Sequence, residues 1–170
     1  MSVEDRLTIA GFPLPAPVAP AGAYVPAVAV PLTAGSALVY TSGQIPMIEG
    51  ALPSHYKGKV GGAVDLETAR QAAAQCAVNA LAAIKGLVGD LERVERVVKV
   101  VGFVSSTPEF TQQPEVMNAA SELLHAAFGA AGQHARSAVG MPVLPRDTCV
   151  EVELIVQVRD TNADGDKPAT

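Results

Sequence analysis

The chain has 170 residues, of which 49% are hydrophobic, and a formal net charge of −5. This length predicts one domain with a substantial core rather than two domains. The acidic balance argues against a general nucleic-acid binder, which needs a clustered basic surface, although it leaves room for a local basic pocket.

Targeting and metal-binding signals are weak throughout the sequence. The first residues include acidic side chains and no apolar signal core, and no later segment offers the roughly 18 to 20 uninterrupted apolar residues of a membrane span. We therefore expect a soluble, cytoplasmic protein. Cys76 and Cys149 lack CxxC spacing and are expected to be buried thiols. The histidines His55, His125 and His134 show no ligand spacing, so no metal site is expected.

The first part of the chain predicts an extended segment followed by a hairpin. Residues 12–20, FPLPAPVAP, contain too many prolines for a central strand or a helix. The apolar runs 24–31 and 37–41 are joined by TAGS, which predicts a β-hairpin that leads into SGQIP. The glycine-rich segment 49–63 is expected to be a loop.

The middle of the chain predicts two helices around one strand. Asp65 is expected to cap a helix that runs to Gly89, and its alanine-rich buried stripe allows close packing on a sheet. Residues 94–105 are β-branched and predict a central strand. Pro114 begins a second helix that ends near Gly129.

Within residues 134–155, the two strand-like stretches place Arg136, Glu151 and Glu153 among apolar residues. With a period of two, Val150, Val152, Leu154 and Val156 share one face, and Cys149, Glu151, Glu153, Ile155 and Gln157 share the other. We expect a hairpin whose first strand has Arg136, Ala138 and Gly140 on a common side, where a small anion can approach. The alternative is a solvated face on which Arg136 and Glu151 form a surface pair worth under about 1 kcal/mol.

Together these elements predict an α+β fold with the order ββαβαββ, a two-layer sandwich in which two helices cover one face of a mixed sheet. Residues 1–160 form a single predicted domain, with an extended proline-rich N-terminal segment at 1–23. Residues 161–170 lack large apolar side chains and are expected to be disordered. The other sheet face has no helix to cover it, so self-association into a closed ring is the simplest solution.

Three motifs carry a family resemblance: Tyr24 in GAYVPAV, SGQIP at 42–46, and ARSAVGMPVLPRDTCVEVELI at 135–155. They resemble the Rid family, also called YjgF/RidA or L-PSP, over nearly the whole predicted core. The resemblance implies a chorismate-mutase-like fold and a homotrimer with clefts between subunits. It also implies hydrolysis of reactive 2-imino or 2-enamino acids to 2-keto acids and ammonia, without a cofactor.

The resemblance assigns roles to individual residues. Arg136 matches the arginine that binds the substrate carboxylate through two parallel charge-assisted hydrogen bonds. Glu151 matches the glutamate that activates the attacking water, and partial burial is expected to raise its pKa. Ser42, Gly43 and Gln44 match the loop that lines the pocket floor, with a simple strand-ending turn as the alternative.

Other candidates have two interpretations each. Tyr24 matches the tyrosine that closes the cleft, although a tyrosine filling a subunit seam fits equally. His134 is expected near Arg136, either sharing proton transfer with Glu151 or, as the favoured alternative, acting as a hydrogen-bonded structural histidine. His55 and Tyr56 could cover the cleft, but an ordinary exposed loop is the safer expectation for both.

The sequence also departs from the family pattern. Ala138 stands where many members have a cysteine, and Gly140 stands where many have a glutamate, so we expect a roomier pocket with Ala138 contributing backbone contacts. The loop 47–64 is longer than in the smaller members. The leading function is deamination, the alternative is a non-catalytic protein that binds small carboxylates such as keto acids, and endoribonuclease action is the least favoured. The expected partners are a small carboxylate metabolite and further copies of the chain, with neither nucleic acid nor membrane.

Overall fold

The computed structural model of the protein describes residues 1–17, 22–33 and 35–159. Within these ranges the chain forms α1 (Val3–Ile9), β1 (Ala27–Thr33), β2 (Ser36–Thr41), α2 (Leu66–Val88), β3 (Val94–Ser105), α3 (Gln113–Phe128), β4 (Ala135–Met141) and β5 (Val150–Arg159). From β1 onward this is the predicted order ββαβαββ. Residues 12–17 contain no helix or strand, as predicted, while residues 18–20 and the tail 161–170 lie outside the described ranges.

The five strands form one mixed sheet in the order β1-β2-β5-β3-β4. β3 and β4 are parallel because α3 connects them, and the other neighbouring pairs are antiparallel. The side chains that β5 directs toward the helices are buried, and they are Val150, Val152, Leu154 and Val156. The predicted two-layer α+β fold is confirmed.

The segment 134–155 does not form the predicted hairpin. β3 lies between β4 and β5, so that Val100 pairs with Arg136 on one side and with Leu154 on the other. Residues 142–149 therefore pass the end of β3 instead of making a tight turn. The hairpin prediction is wrong because a period of two assigns each strand its faces but not its neighbours.

Helix α1 lies within the segment 1–23 that the sequence predicts to be extended, so that prediction is wrong at Val3–Ile9. Ser2 caps it: the Ser2 hydroxyl oxygen accepts from the Asp5 N–H at 3.1 Å, and the Asp5 carboxylate accepts from the Ser2 N–H at 2.9 Å. Val3 and Leu7 are the only buried residues of this helix. Two apolar positions are too few to show a helical period in the sequence. The capping box at Ser2 and Asp5 is the local signal that marks this helix in the sequence.

The loop 49–63 is attached to the core rather than freely exposed. Tyr56 is buried and joins the hydrophobic core, so the expectation that it belongs to an exposed loop is wrong. Its carbonyl accepts a hydrogen bond from the Cys149 N–H at 2.8 Å, and the Gly58 N–H donates to the Asp147 carbonyl at 2.8 Å. His55 is exposed, as expected.

Helix α2 begins and ends where the sequence predicts. The Asp65 carboxylate caps it by accepting from the Thr68 N–H at 2.7 Å, and Gly89 ends it with a φ of 85°. Cys76 on this helix and Cys149 before β5 are both free and buried, as expected. No helix in the described ranges combines the length and hydropathy that crossing a bilayer requires.

The sheet face opposite α2 and α3 is open. On β1 and β2, Val28 and Val30 point to this face with Tyr40, and these side chains are 48%, 47% and 40% exposed. On β5 the same face carries Glu151, Glu153, Ile155 and Gln157, all partly exposed. The open face is therefore apolar at one edge and acidic near its centre.

Candidate functional site

Arg136 lies on the edge strand β4, and its side chain extends toward α3. It pairs with the core residue Val100, so both side chains are on the helix-covered face. The guanidinium donates from Nη1 to the Ser121 hydroxyl oxygen at 2.9 Å and from Nη2 to the Pro114 carbonyl at 3.1 Å. Burial lowers the pKa of Arg136, but an arginine stays protonated at neutral pH. The two hydrogen bonds thus fix the orientation of the charged guanidinium at the edge of the sheet.

Glu151 lies on β5, opposite Phe103 of β3, on the open face of the sheet. Burial raises the pKa of Glu151, and the charge of Glu153 raises it further. Among the residues that the structure describes, no arginine, lysine or histidine forms an ion pair with this carboxylate. A partly buried carboxylate without a cation takes up a proton more readily than an exposed one, as general acid–base catalysis requires.

One chain does not bring Arg136 and Glu151 together. Their partners on β3, Val100 and Phe103, are three residues apart and so face opposite sides of the sheet. The alternative of a cross-strand surface pair between Arg136 and Glu151 is wrong for the same reason.

Gly43 lies directly against Glu151. A Cβ atom on Gly43 would overlap a carboxylate oxygen of Glu151 and would lie 2.8 Å from its carboxyl carbon. Gln44 exchanges two backbone hydrogen bonds with Val152, at 2.8 and 2.9 Å, which fixes this segment beside β5. Glu151 is therefore the group that lies closest to Gly43, whereas the role of Gly43 in lining the pocket floor stays a prediction.

Ser42 connects the same segment to the residues before β1. Its N–H donates to the Pro26 carbonyl at 2.9 Å, and its hydroxyl donates to the Val25 carbonyl at 2.7 Å. Tyr24 precedes Val25 in the chain, is 51% exposed, and has its ring against Gly22. Ser42, Gly43 and Gln44 thus lie beside Glu151 and Val152 after the end of β2, with Tyr24 close to them along the chain.

His134 belongs to the other side of the sheet, with Arg136. Its Nδ1 donates to the Gly132 carbonyl at 2.6 Å, and its Nε2 lies 3.0 Å from the Ser121 hydroxyl oxygen. Burial lowers the pKa of His134, the hydrogen bond to Gly132 opposes this, and the charge of Arg136 lowers it again. Of the two interpretations, this geometry is that of a hydrogen-bonded structural histidine, and it gives His134 no contact with Glu151.

Gly140 does not open extra space in the way expected, whereas the expected effect of Ala138 on the pocket stays a prediction. Ala138 pairs with Gly102 and packs against the core. A Cβ atom on Gly140 would lie 2.9 Å from the Gln113 amide nitrogen and 3.0 Å from the Ser106 hydroxyl oxygen. The expectation of a roomier pocket is wrong at Gly140, because these two side chains from elsewhere fill the space that its missing side chain leaves.

Ser121 is a residue of the Arg136 region that the sequence did not reveal. It borders a cavity of about 530 Å³ at the edge of the sheet, lined by Ser121, Glu122, His125, Gly132, Gln133, His134 and Arg136. Pro114 and Ser121 are seven residues apart and so share one face of α3. That spacing is visible in the sequence, but only the β4 register shows that this face meets Arg136.

Comparison with known proteins agrees with these motifs. The family model described as "YjgF/chorismate mutase-like, putative endoribonuclease" matches residues 4–158. Protein TCP17 of Trypanosoma cruzi is 38% identical over 159 residues, which is 93% of this chain and 95% of the relative. The crystal structure of Atu1372 from Agrobacterium tumefaciens is 43% identical over 92% of both chains, with a TM-score of 0.80.

A further solved structure, Escherichia coli TdcF with bound serine, is 26% identical, with a TM-score of 0.56 over 85% of this chain and 94% of that one. The family model spans nearly all the described strands and helices, and it includes every predicted site residue from Tyr24 to Glu151. The chain therefore belongs to the YjgF/chorismate-mutase-like family, the Rid family that its motifs resemble.

Proposed function

We propose that this protein hydrolyses small, reactive 2-imino or 2-enamino acids to 2-keto acids and ammonia. The observation that carries the proposal is the carboxylate of Glu151, which is partly buried against Gly43 and has a raised pKa. Burying a carboxylate without a cation costs stability, so a glutamate in this position suggests a functional role. Activation of water is the use that fits a carboxylate with a raised pKa.

Arg136 supplies the second half of the proposed chemistry. A guanidinium has five N–H donors, and Arg136 commits one from Nη1 and one from Nη2 to α3. The remaining donors suffice for a planar carboxylate. TdcF is a relative whose structure contains bound serine. Serine and a 2-imino acid both have a carboxylate attached to the carbon that carries the nitrogen. We therefore assign Arg136 to the substrate carboxylate.

We further propose that the site forms between copies of the chain in a homotrimer. Arg136 and Glu151 face opposite sides of one sheet, so a site that uses both needs Arg136 from one copy and Glu151 from the next. The exposed Val28, Val30 and Tyr40 supply apolar surface on the face that carries Glu151. Covering such a patch is a common reason for closed symmetric association.

The proposed reaction balances with one water. Glu151 accepts a proton from water while the oxygen forms a bond to C2 of the protonated imine, which gives a carbinolamine. Glu151 returns that proton to the nitrogen and, ionised again, accepts the proton of the C2 hydroxyl group as the C–N bond breaks and the C2–oxygen double bond forms. The departing ammonia takes this proton from Glu151 and leaves as ammonium. An enamine first takes a proton at carbon to become the imine. Arg136 holds the carboxylate throughout and orients C2 toward the water.

The direct test is to generate 2-aminoacrylate in situ and measure the rate of pyruvate formation. Wild type should exceed the spontaneous rate, whereas Arg136→Ala and Glu151→Gln should not. Glu109→Gln is the matched control for Glu151→Gln, since Glu109 is exposed and lies outside the proposed site. If wild type gives only the spontaneous rate with 2-aminoacrylate and with bulkier imines, the deaminase proposal is wrong.

A second candidate function is binding of a small carboxylate without turnover. It is favoured by the separation of Arg136 and Glu151 in one chain, because the cavity beside Arg136 then contains no Glu151. Keto-acid binding that needs Arg136, together with no turnover, would support it. Endoribonuclease action, which the family description names, suits a net charge of −5 poorly. A salt-titrated RNA-binding assay tests that third function.

A further inference from the structure

Three hydrogen bonds link Arg136 to the backbone through two side chains. Arg136 Nη1 donates to the Ser121 hydroxyl oxygen at 2.9 Å, that oxygen lies 3.0 Å from His134 Nε2, and His134 Nδ1 lies 2.6 Å from the Gly132 carbonyl. All four residues border the same cavity of about 530 Å³. The chain of bonds therefore runs along the wall of a space that can hold a ligand.

The direction of each bond follows from the groups involved. A carbonyl only accepts, so His134 Nδ1 carries the proton that bonds to Gly132. In a neutral imidazole Nε2 is then an acceptor, and the single hydroxyl proton of Ser121 points to it. The lone pairs of the Ser121 oxygen are left for Arg136, whose guanidinium can only donate.

We propose that Ser121 and His134 are positioning residues that set the direction of the Arg136 guanidinium for carboxylate binding. The inference rests on the proposed function, in which Arg136 binds the substrate carboxylate. His134 fixes the hydroxyl proton of Ser121, and Ser121 then presents a lone pair in one direction. The Pro114 carbonyl holds Nη2 at 3.1 Å, so the two ends of the guanidinium are both restrained.

The surroundings keep His134 in the neutral form that this arrangement needs. Burial lowers its pKa, and the Arg136 charge acts in the same direction. The other titratable groups that line the cavity are Glu122 and His125 of α3. Glu122 is paired with Arg70, at 3.0 Å between Oε2 and Nη2, and is therefore engaged away from Arg136.

The test uses pyruvate as the carboxylate probe, with its Kd measured by calorimetry at pH 7.5, and the 2-aminoacrylate assay for KM and kcat. Ser121→Ala and His134→Leu should each raise Kd and KM by about tenfold and change kcat little, since the reacting groups are untouched. Ser121→Thr keeps the hydroxyl and should restore Kd toward the wild-type value. Thr8→Ala, which removes an exposed hydroxyl of α1 outside this cavity, should leave Kd unchanged.

Arg136→Ala separates the role of Arg136 from the role of the two residues that position it. If this variant binds pyruvate as wild type does, the proposed role of Arg136 is wrong, and the positioning role falls with it. If Arg136→Ala loses binding but Ser121→Ala and His134→Leu keep the wild-type Kd, only the positioning role is wrong. A lower Tm in those two variants with unchanged Kd and KM also overturns the positioning role, because loss of stability without loss of binding indicates that the hydrogen bonds are purely structural.

Discussion

Gly43 and Glu151 are complementary in shape: the carboxylate of Glu151 occupies the space where any other residue at position 43 would place its Cβ atom. The two residues come from different parts of the sheet, since Gly43 follows β2 and Glu151 belongs to β5. The glycine thus allows a carboxylate to be partly buried in a fixed position. A substitution at Gly43 should therefore affect both the packing of the protein and the position of the proposed catalytic carboxylate.

This contact predicts the effect of Gly43→Ala. The added methyl group must displace the Glu151 side chain, so we expect a loss of about 1–3 kcal/mol in the free energy of unfolding from overpacking. We also expect kcat to fall roughly tenfold or more, because the water-activating carboxylate moves. Urea unfolding and the 2-aminoacrylate assay measure the two effects.

The matched control is Gly62→Ala, whose Cβ atom would have its nearest contact at 3.4 Å. A double-mutant cycle gives the sharper result. In a Glu151→Ala background the stability cost of Gly43→Ala should largely disappear, because the overlapping carboxylate is gone. An equal cost in both backgrounds would show that the two residues do not share this space.

Glu151→Gln is expected to abolish turnover while stabilising the protein at neutral pH. The native pKa of Glu151 is raised above the unfolded value of 4.5, chiefly by burial. Its contribution to stability is therefore fully present below pH 4.5 and is lost as the pH rises through the native pKa. At pH 7 the glutamine variant should have a Tm higher by roughly 2 °C, as differential scanning calorimetry can measure. A lower Tm at pH 7 with unchanged Tm at pH 4 would contradict this account of burial.

Glu153→Gln should shift the pH dependence of the reaction. The charge of Glu153 is the second cause that raises the pKa of Glu151. If ionised Glu151 activates water, activity rises with pH through that pKa, and removing the Glu153 charge should move this acid limb to lower pH. The kcat/KM profile of the two proteins checks the direction. An acid limb that stays in place, or moves to higher pH, would mean that Glu151 is not the group that titrates.

Gly140→Ala is predicted to be destabilising although position 140 is exposed. Its methyl group would lie 2.9 Å from the Gln113 amide, which donates to the Phe110 carbonyl at 2.7 Å and to Ser106 at 3.3 Å. Displacing that amide should cost about 1 kcal/mol, measured by urea unfolding. In a Gln113→Ala background most of this cost should disappear, because only the contact with the Ser106 hydroxyl oxygen at 3.0 Å remains. A similar cost in both backgrounds would point to backbone strain instead.

Much of the fold follows from local signals in the sequence. Asp65 and Gly89 mark the ends of α2, and the β-branched run 94–105 is β3, because caps and β-branching act within a few residues. The period of two also places Val152 in the core and Glu151 on the open face. These features need no knowledge of distant contacts.

The arrangement of the site depends on long-range pairing, which the sequence pattern does not contain. The insertion of β3 between β4 and β5 puts Arg136 and Glu151 on opposite faces, an arrangement that the predicted hairpin does not contain. Ser121 and Gln113 were missed for the same reason, since they reach β4 from α3. Helix α1 is different, because the capping box that begins it is a local signal in the sequence.

The central claim is that one site combines Arg136 of one copy with Glu151 of the next, and mixed oligomers test it most directly. Arg136→Ala and Glu151→Gln proteins are unfolded, mixed in equal amounts and refolded together, with native mass spectrometry to verify that mixed oligomers form. Each variant alone should be inactive, whereas the mixture should recover roughly a quarter of the wild-type rate, because random assembly pairs two intact partners at that fraction of sites. Mixed oligomers that stay as inactive as either variant, beside active refolded wild type, would contradict the shared site.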